Sequence, residues 1–325
     1  MIGRWRLAAA AAAMFLSACA EDTTYPSRPI RLIVPFPAAG SSDLIARTIS
    51  ERASRALGQQ IVIDNRPGAG GNIGTEAGAR AAADGYTLVE CTIGTCAINL
   101  SIYKNPGYDL ERDFRPVVLL GSIANVLTVH PSVPARSVQE LVALARQSPG
   151  KITFGSSGYG SSPHLSGELL RLMAGIDILH VPYKGSAPVI TDLRGGQIDL
   201  FFDNTPSILP HVKAGALRAL AVTGSRRLAS LPDVPTMEEA GFRGFVIAPW
   251  FGLMAPKNTP QDHIDKLNRA YNVALTDPEV VTQLAQMEVI PGGGTPESFG
   301  AHIRSEVKRW AEVVKARGIQ AQEVQ

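Results

Sequence analysis

Hydrophobic positions along the chain fall in short runs that alternate with stretches of helical spacing. An apolar run at residues 30–34 precedes a helical stretch at 42–57, and a second run at 61–63 precedes helical spacing at 73–83. Runs at 86–91, 117–120 and 126–129 read as strands, and 138–146 has helical spacing with Leu141, Leu144 and Ala145 on one face. Further short runs at 152–154, 179–181, 198–202 and 217–222 are separated by helices. This alternation predicts an α/β protein built on parallel sheets. Beyond them, 246–254 is strand-like, and from Pro260 onward the pattern is almost wholly helical. Two helices are expected there, started by Thr259-Pro260 and by Thr295-Pro296-Glu297, the second ending at Gly318.

A chain of 325 residues is long for one lobe and comfortable for two. No low-complexity linker interrupts it, so strands must join the lobes. Its net charge of +2, with Lys and Arg scattered, argues against nucleic acid as a partner. The N-terminus changes the picture more. Arg4 and Arg6 precede an apolar stretch at 7–16 and then small residues, the layout of a secretory signal over residues 1–20 and too short to span a membrane. Leu16-Ser17-Ala18-Cys19 resembles a bacterial lipobox, which would lipidate Cys19 as the first mature residue; Ala18-Cys19-Ala20 offers instead a cut before Glu21. Either product is exported. An oxidising compartment permits a bridge between Cys91 and Cys96, the alternative being two buried thiols packed as small hydrophobes. No histidine or second cysteine pair sits near enough to suggest a metal site.

Three turns rich in glycine and serine carry the candidate chemistry: Pro35-Phe36-Pro37-Ala38-Ala39-Gly40-Ser41-Ser42-Asp43, Arg66-Pro67-Gly68-Ala69-Gly70-Gly71-Asn72 and Gly155-Ser156-Ser157-Gly158-Tyr159-Gly160-Ser161-Ser162. Each stands where a strand hands over to a helix. Uncovered N–H groups at a helix N-terminus favour a small anion, and a carboxylate fits such a place. The third turn is distant in sequence, which points to a cleft with walls from different lobes. Near-miss motifs narrow the reading. Ile73 occupies the third glycine position of G-x-G-x-x-G and no Walker lysine follows, so a nucleotide is disfavoured and no cofactor is expected. Gly155-Ser156-Ser157-Gly158 lacks the G-x-S-x-G of a hydrolase elbow.

Taken with Asp84-Gly85-Tyr86-Thr87-Leu88, His180-Val181-Pro182-Tyr183-Lys184-Gly185, Pro232-Asp233-Val234-Pro235-Thr236 and Trp250-Phe251-Gly252-Leu253, these turns make the chain resemble the Bug-type (TctC-like) substrate-binding proteins of tripartite tricarboxylate transporters, over residues 25–318. The resemblance implies a periplasmic binding protein-like fold, two α/β lobes joined by crossover strands with a ligand cleft between them. Lobe 1 is expected at 26–125 plus 248–325 and lobe 2 at 126–247. It further implies a monomeric, non-enzymatic receptor that presents a small carboxylate to membrane transporter subunits, or a periplasmic sensor using the same cleft. An exported α/β hydrolase is the rival reading. Di- and tricarboxylates, acidic amino acids and aromatic acids all fall within the implied range.

Residue by residue, Phe36 is expected at the cleft mouth, and the N–H groups of Ala38, Ala39, Gly40 and Ser41, with the Ser41 hydroxyl, at one end of the ligand. Ala39 stands where relatives carry glycine, so a left-handed backbone there would be strained. Asp43 is read as a helix-orienting group. Ala69, Gly70, Gly71 and Asn72 allow close approach of backbone to a carboxylate. Ser156, Ser157 and Ser162 are expected at the other end of the ligand, His164 behind them as a contact or a structural donor. Tyr183 is expected to line the cleft. Asp203 either faces the ligand, welcoming an ammonium or hydroxyl, or caps the turn before Pro206.

Overall fold

The computed structural model describes residues 25–319. The signal sequence expected at residues 1–20, with Cys19, lies outside the described residues. Two sheets form the framework. The first has the strand order β11-β4-β10-β3-β1-β2, from β1 (Ile30–Val34), β2 (Ile61–Asn65), β3 (Thr87–Thr92), β4 (Phe114–Ser122), β10 (Trp250–Pro256) and β11 (Ile290–Gly293). The second has the order β7-β6-β8-β5-β9, from β5 (Asn125–Val129), β6 (Thr153–Ser156), β7 (Leu179–Pro182), β8 (Leu200–Asn204) and β9 (Arg218–Val222).

Both sheets are mixed, where the alternation of elements predicted parallel ones. Strands β1, β2 and β3 are mutually parallel, as are β6, β7 and β8. The exceptions arise at the crossovers. Strand β4 leads out of the first sheet and β10 returns to it, so β10 lies antiparallel to both β3 and β4, and β5 likewise enters the second sheet antiparallel to β8 and β9. Thr223 ties the crossing segments together. Its N–H donates to the Asn125 carbonyl at 2.9 Å, its hydroxyl to the Ile247 carbonyl at 2.6 Å, and it accepts at its own carbonyl from the Ile247 N–H at 3.0 Å.

The helices that place the site follow from simple patterns. Helix α1 (Ser41–Leu57) buries Ile45, Ile49, Ala53 and Leu57, one face at four-residue spacing, and stops at Gly58, whose φ of 70° suits glycine. Helix α2 (Asn72–Ala79) ends sooner than the spacing at 73–83 predicted. Helices α3 (Val138–Gln147), α4 (Ser162–Ala174), α5 (Ser186–Arg194) and α6 (Thr205–Lys213) pack around the second sheet. The C-terminal third holds three long helices, not two: α7 (Gln261–Leu275), α8 (Pro278–Gln286) and α9 (Pro296–Arg317). Thr295 caps α9 by accepting from the Ser298 N–H at 3.2 Å, but Thr259 turns its hydroxyl back to the Pro256 carbonyl and leaves α7 uncapped by a side chain. Among the described residues no helix is long and apolar enough to cross a membrane.

Candidate functional site

A narrow chamber lies between the sheets, with about 40 Å³ open to the centre of a water molecule. Helix N-termini converge on it, with Asn204 bringing the start of α6. Gly40, Ser41 and Ser42 bring the start of α1 from the first lobe, Ser161 and Ser162 the start of α4, and Gly185 and Ser186 the start of α5 from the second. The remaining walls are largely apolar, with Phe36, Ile93, Pro163, Pro249 and Phe251 among them. No lining residue carries a charged side chain. Positive potential inside therefore comes from backbone N–H groups and helix ends, which favour an anion while leaving its release easy.

The first turn is braced from behind by Asp43. Its carboxylate accepts from the Ala39 N–H at 2.9 Å, from Arg47 Nε at 2.9 Å and from Asn65 Nδ2 at 3.0 Å. Burial works to raise this carboxyl, but those hydrogen bonds outweigh it and hold Asp43 below the usual carboxylate range. The Ala39 N–H, expected at the ligand, is thus committed to Asp43, and Ala39 does not line the chamber. Ala39 nonetheless keeps the left-handed backbone, at φ 63°. Phe36, Ala38, Gly40, Ser41, Ser157 and Ser162 do border the chamber.

The second turn stands apart. Ala69, Gly70 and Gly71, with Tyr183 from the opposite lobe, line an adjacent chamber of about 200 Å³ that shares Phe36, Pro37, Ser157 and Gly185 with the first. Within the turn the Gly71 N–H donates to the Gly68 carbonyl and the Asn72 N–H to the Ala69 carbonyl, so neither is free for an anion. Asn72 is buried, its side-chain oxygen accepting from Asn99 at 2.6 Å and from the Tyr108 hydroxyl at 3.1 Å. Its expected place beside a ligand is corrected to a brace within lobe 1. Tyr183 donates its hydroxyl to Asp192 at 2.7 Å.

Ser156, His164 and Asp203 border neither chamber: Ser156 leaves its expected place at the ligand, while His164 and Asp203 take the structural one of the two places expected for each. Ser156 is fully buried, with its hydroxyl 2.6 Å from His180 Nε2 and accepting from the Gly158 N–H at 3.2 Å. That serine–histidine pair borders neither chamber. His164 accepts at Nδ1 from the Gly160 N–H, and burial, with His180 and Arg171 nearby, pushes it down to about 3, so it is a neutral structural acceptor. Asp203 is completely buried, accepting from Ser186 at 2.7 Å and Ser207 at 2.6 Å. It reaches the chamber through Ser186, and through Ser207 to Ser41.

The structure joins Cys91 and Cys96 in a disulfide whose Cα atoms are 5.7 Å apart. The enclosed residues Thr92, Ile93 and Gly94 form one wall of the chamber. Sequence reasoning missed them, together with Ser161, Ser186 and Asn204. Gly185-Ser186 repeats the Gly40-Ser41 arrangement at a helix start and was the available signal. It also missed Glu90 on β3, fully buried with neither carboxyl oxygen hydrogen-bonded. Burial pushes Glu90 up to about 8, with Ser42 close enough to temper the shift and Asp43 adding to it. Among the described residues no cluster of histidine, cysteine or carboxylates could hold a metal.

Comparison with known proteins places the chain in a family. Residues 45–319 match the tripartite tricarboxylate transporter family receptor model, TctC. The chain belongs to that family. It is 41% identical to Protein BugT of Bordetella pertussis over 304 residues, covering 93% of each chain. It is similar to the periplasmic binding protein BugD, with 36% identity and a TM-score of 0.88 over 92% of this chain and all (100%) of that one. It also resembles Rpa4515 of R. palustris, solved with adipate, with 41% identity and a TM-score of 0.89 over 92% of this chain and 100% of that one.

Proposed function

We propose that this protein captures a small organic acid in the interlobe chamber and presents it, without chemical change, to a tripartite membrane transporter. One observation carries the reading: helix N-termini from both lobes converge on a space bordered by no charged side chain. Such a site holds carboxylate oxygens on neutral donors while the apolar wall accepts a short carbon body. The adipate found in the similar Rpa4515 structure supports a carboxylate here. The family supports delivery to a transporter, and the export signal with BugD supports a periplasmic setting, tethered if Cys19 is lipidated. The lobes are proposed to divide at 125/126 and 247/248, with the crossovers at Thr223 as the hinge.

A thermal-shift screen of mono-, di- and tricarboxylates, aromatic acids and acidic amino acids tests this directly. A binder should raise the melting temperature in proportion to the logarithm of its concentration and leave the solution unconsumed. No shift with any acid, or turnover of one, overturns the proposal.

A further inference from the structure

Beneath the chamber runs a chain of hydroxyl groups whose proton directions can be counted. Asp203 accepts from Ser186 through Oδ1 and from Ser207 through Oδ2. Ser207 has one hydroxyl proton, and both Asp203 and the Asn204 carbonyl, at 3.1 Å, compete for it. The Ser41 hydroxyl, 3.0 Å from that of Ser207, must therefore be the donor in the bond between the lobes. With Asp203 ionised, Ser41 and Ser186 both turn their protons away from the chamber and present lone pairs to it. A proton on Oδ1 of Asp203 reverses one of these bonds, and the Ser186 hydroxyl is released to donate into the chamber.

We propose that Asp203 sets the hydrogen-bond polarity of the second-lobe wall through Ser186, so that seating a bare carboxylate against that wall carries one proton from solvent onto Asp203, whereas an ammonium or hydroxyl is seated there without one. This rests on the carboxylate-binding reading above. Burial pushes Asp203 up to about 7, against the lowering effect of the bonds from Ser207, Ser186 and the Asn204 backbone. No charged neighbour contributes. Of the titratable groups on surrounding elements, Asp43 of α1 is committed to Arg47, His164 of α4 to Gly160, His180 of β7 to Ser156 and Asp192 of α5 to Tyr183; Glu90 of β3, beside Ser42, has no hydrogen-bond partner and is pushed up to about 8, so a proton taken up there would persist in the Asp203 and Ser186 variants used below. His211 lies in the last turn of α6, the far end from Asp203.

The test is isothermal titration of the full mature chain with adipate, succinate, malate and glutamate at pH 6.5 and 8.5, in buffers of different ionisation enthalpy. The free acids stay essentially ionised across this range. Plain diacids should bind more than tenfold more weakly at pH 8.5, with uptake of about one proton, and the preference should move toward the hydroxy and amino acids. Asp203→Asn, which fixes an amide donor in place, should abolish both effects. Ser186→Ala should abolish them as well, which keeps the test sound if the first variant folds poorly. Binding without proton uptake, or uptake unchanged in the variants, overturns this inference and leaves carboxylate capture standing. No binding of any of the four acids at either pH overturns both.

Discussion

Closure of the two lobes is most sensitive to one added carbon at Gly70. A Cβ there would stand 2.1 Å from the Tyr159 carbonyl oxygen of the opposite lobe and 2.9 Å from the Tyr103 hydroxyl. The first obstacle is backbone and cannot swing aside, so Gly70→Ala must part the lobe surfaces by roughly 1 Å, the distance needed to restore ordinary packing. Two hydrogen bonds between the lobes then fail, Tyr103 to the Tyr159 carbonyl at 3.1 Å and Ser41 to Ser207 at 3.0 Å. At about 1 kcal/mol each, their loss weakens the closed form by ~2 kcal/mol, or roughly 30-fold in affinity for an acid that needs closure. Gly70 also has φ 62°, and a left-handed alanine costs about 1 kcal/mol in either form. Gly58→Ala isolates that cost, since Gly58 has φ 70° and nothing within 4 Å of a new Cβ. Both variants should therefore melt at similarly lowered temperatures, while calorimetric titration shows lost affinity in Gly70→Ala alone. Equal affinities in the two variants would refute closure across the second turn.

Two other predictions concern stability. Ala39→Gly relieves a left-handed alanine at φ 63°, and denaturant titration should show a gain of about 0.5–1 kcal/mol; a loss would mean that the strain is absent. For Glu90 the folded state holds its proton up to about pH 8 against an ordinary value of 4.5, so its burial costs little below 4.5 and progressively more as pH rises through 8. Glu90→Gln should match the wild type near pH 4.5 and gain on the order of 1 kcal/mol per pH unit toward 8, read from urea midpoints; a difference constant with pH contradicts the assignment.

Much of this architecture was legible because it is local. The apolar run at 30–34, the helical face through Ile45, Ile49 and Ala53, and the stop at Gly58 need no distant information. Strand direction was not legible, since it is set where β10 returns from the other lobe and meets β3. The same division holds in the site. Gly40 and Ser41 stand at a helix start, a position fixed by neighbours in sequence. Ser156 and Asp203 end strands buried on both faces, so alternation gives no clue to which side faces the cleft. Asp203 in particular was visible as a carboxylate at a strand end, but its burial under Ser186 and Ser207 depends on how α5 and α6 pack over β8.

The most direct measurement is a crystal structure of the protein with an acid that stabilises it. The account predicts carboxylate oxygens within hydrogen-bond reach of N–H groups at the starts of α1 and of α4 or α5 together, with no arginine or lysine in contact. An acid held by one lobe only, or by a charged side chain, would contradict it.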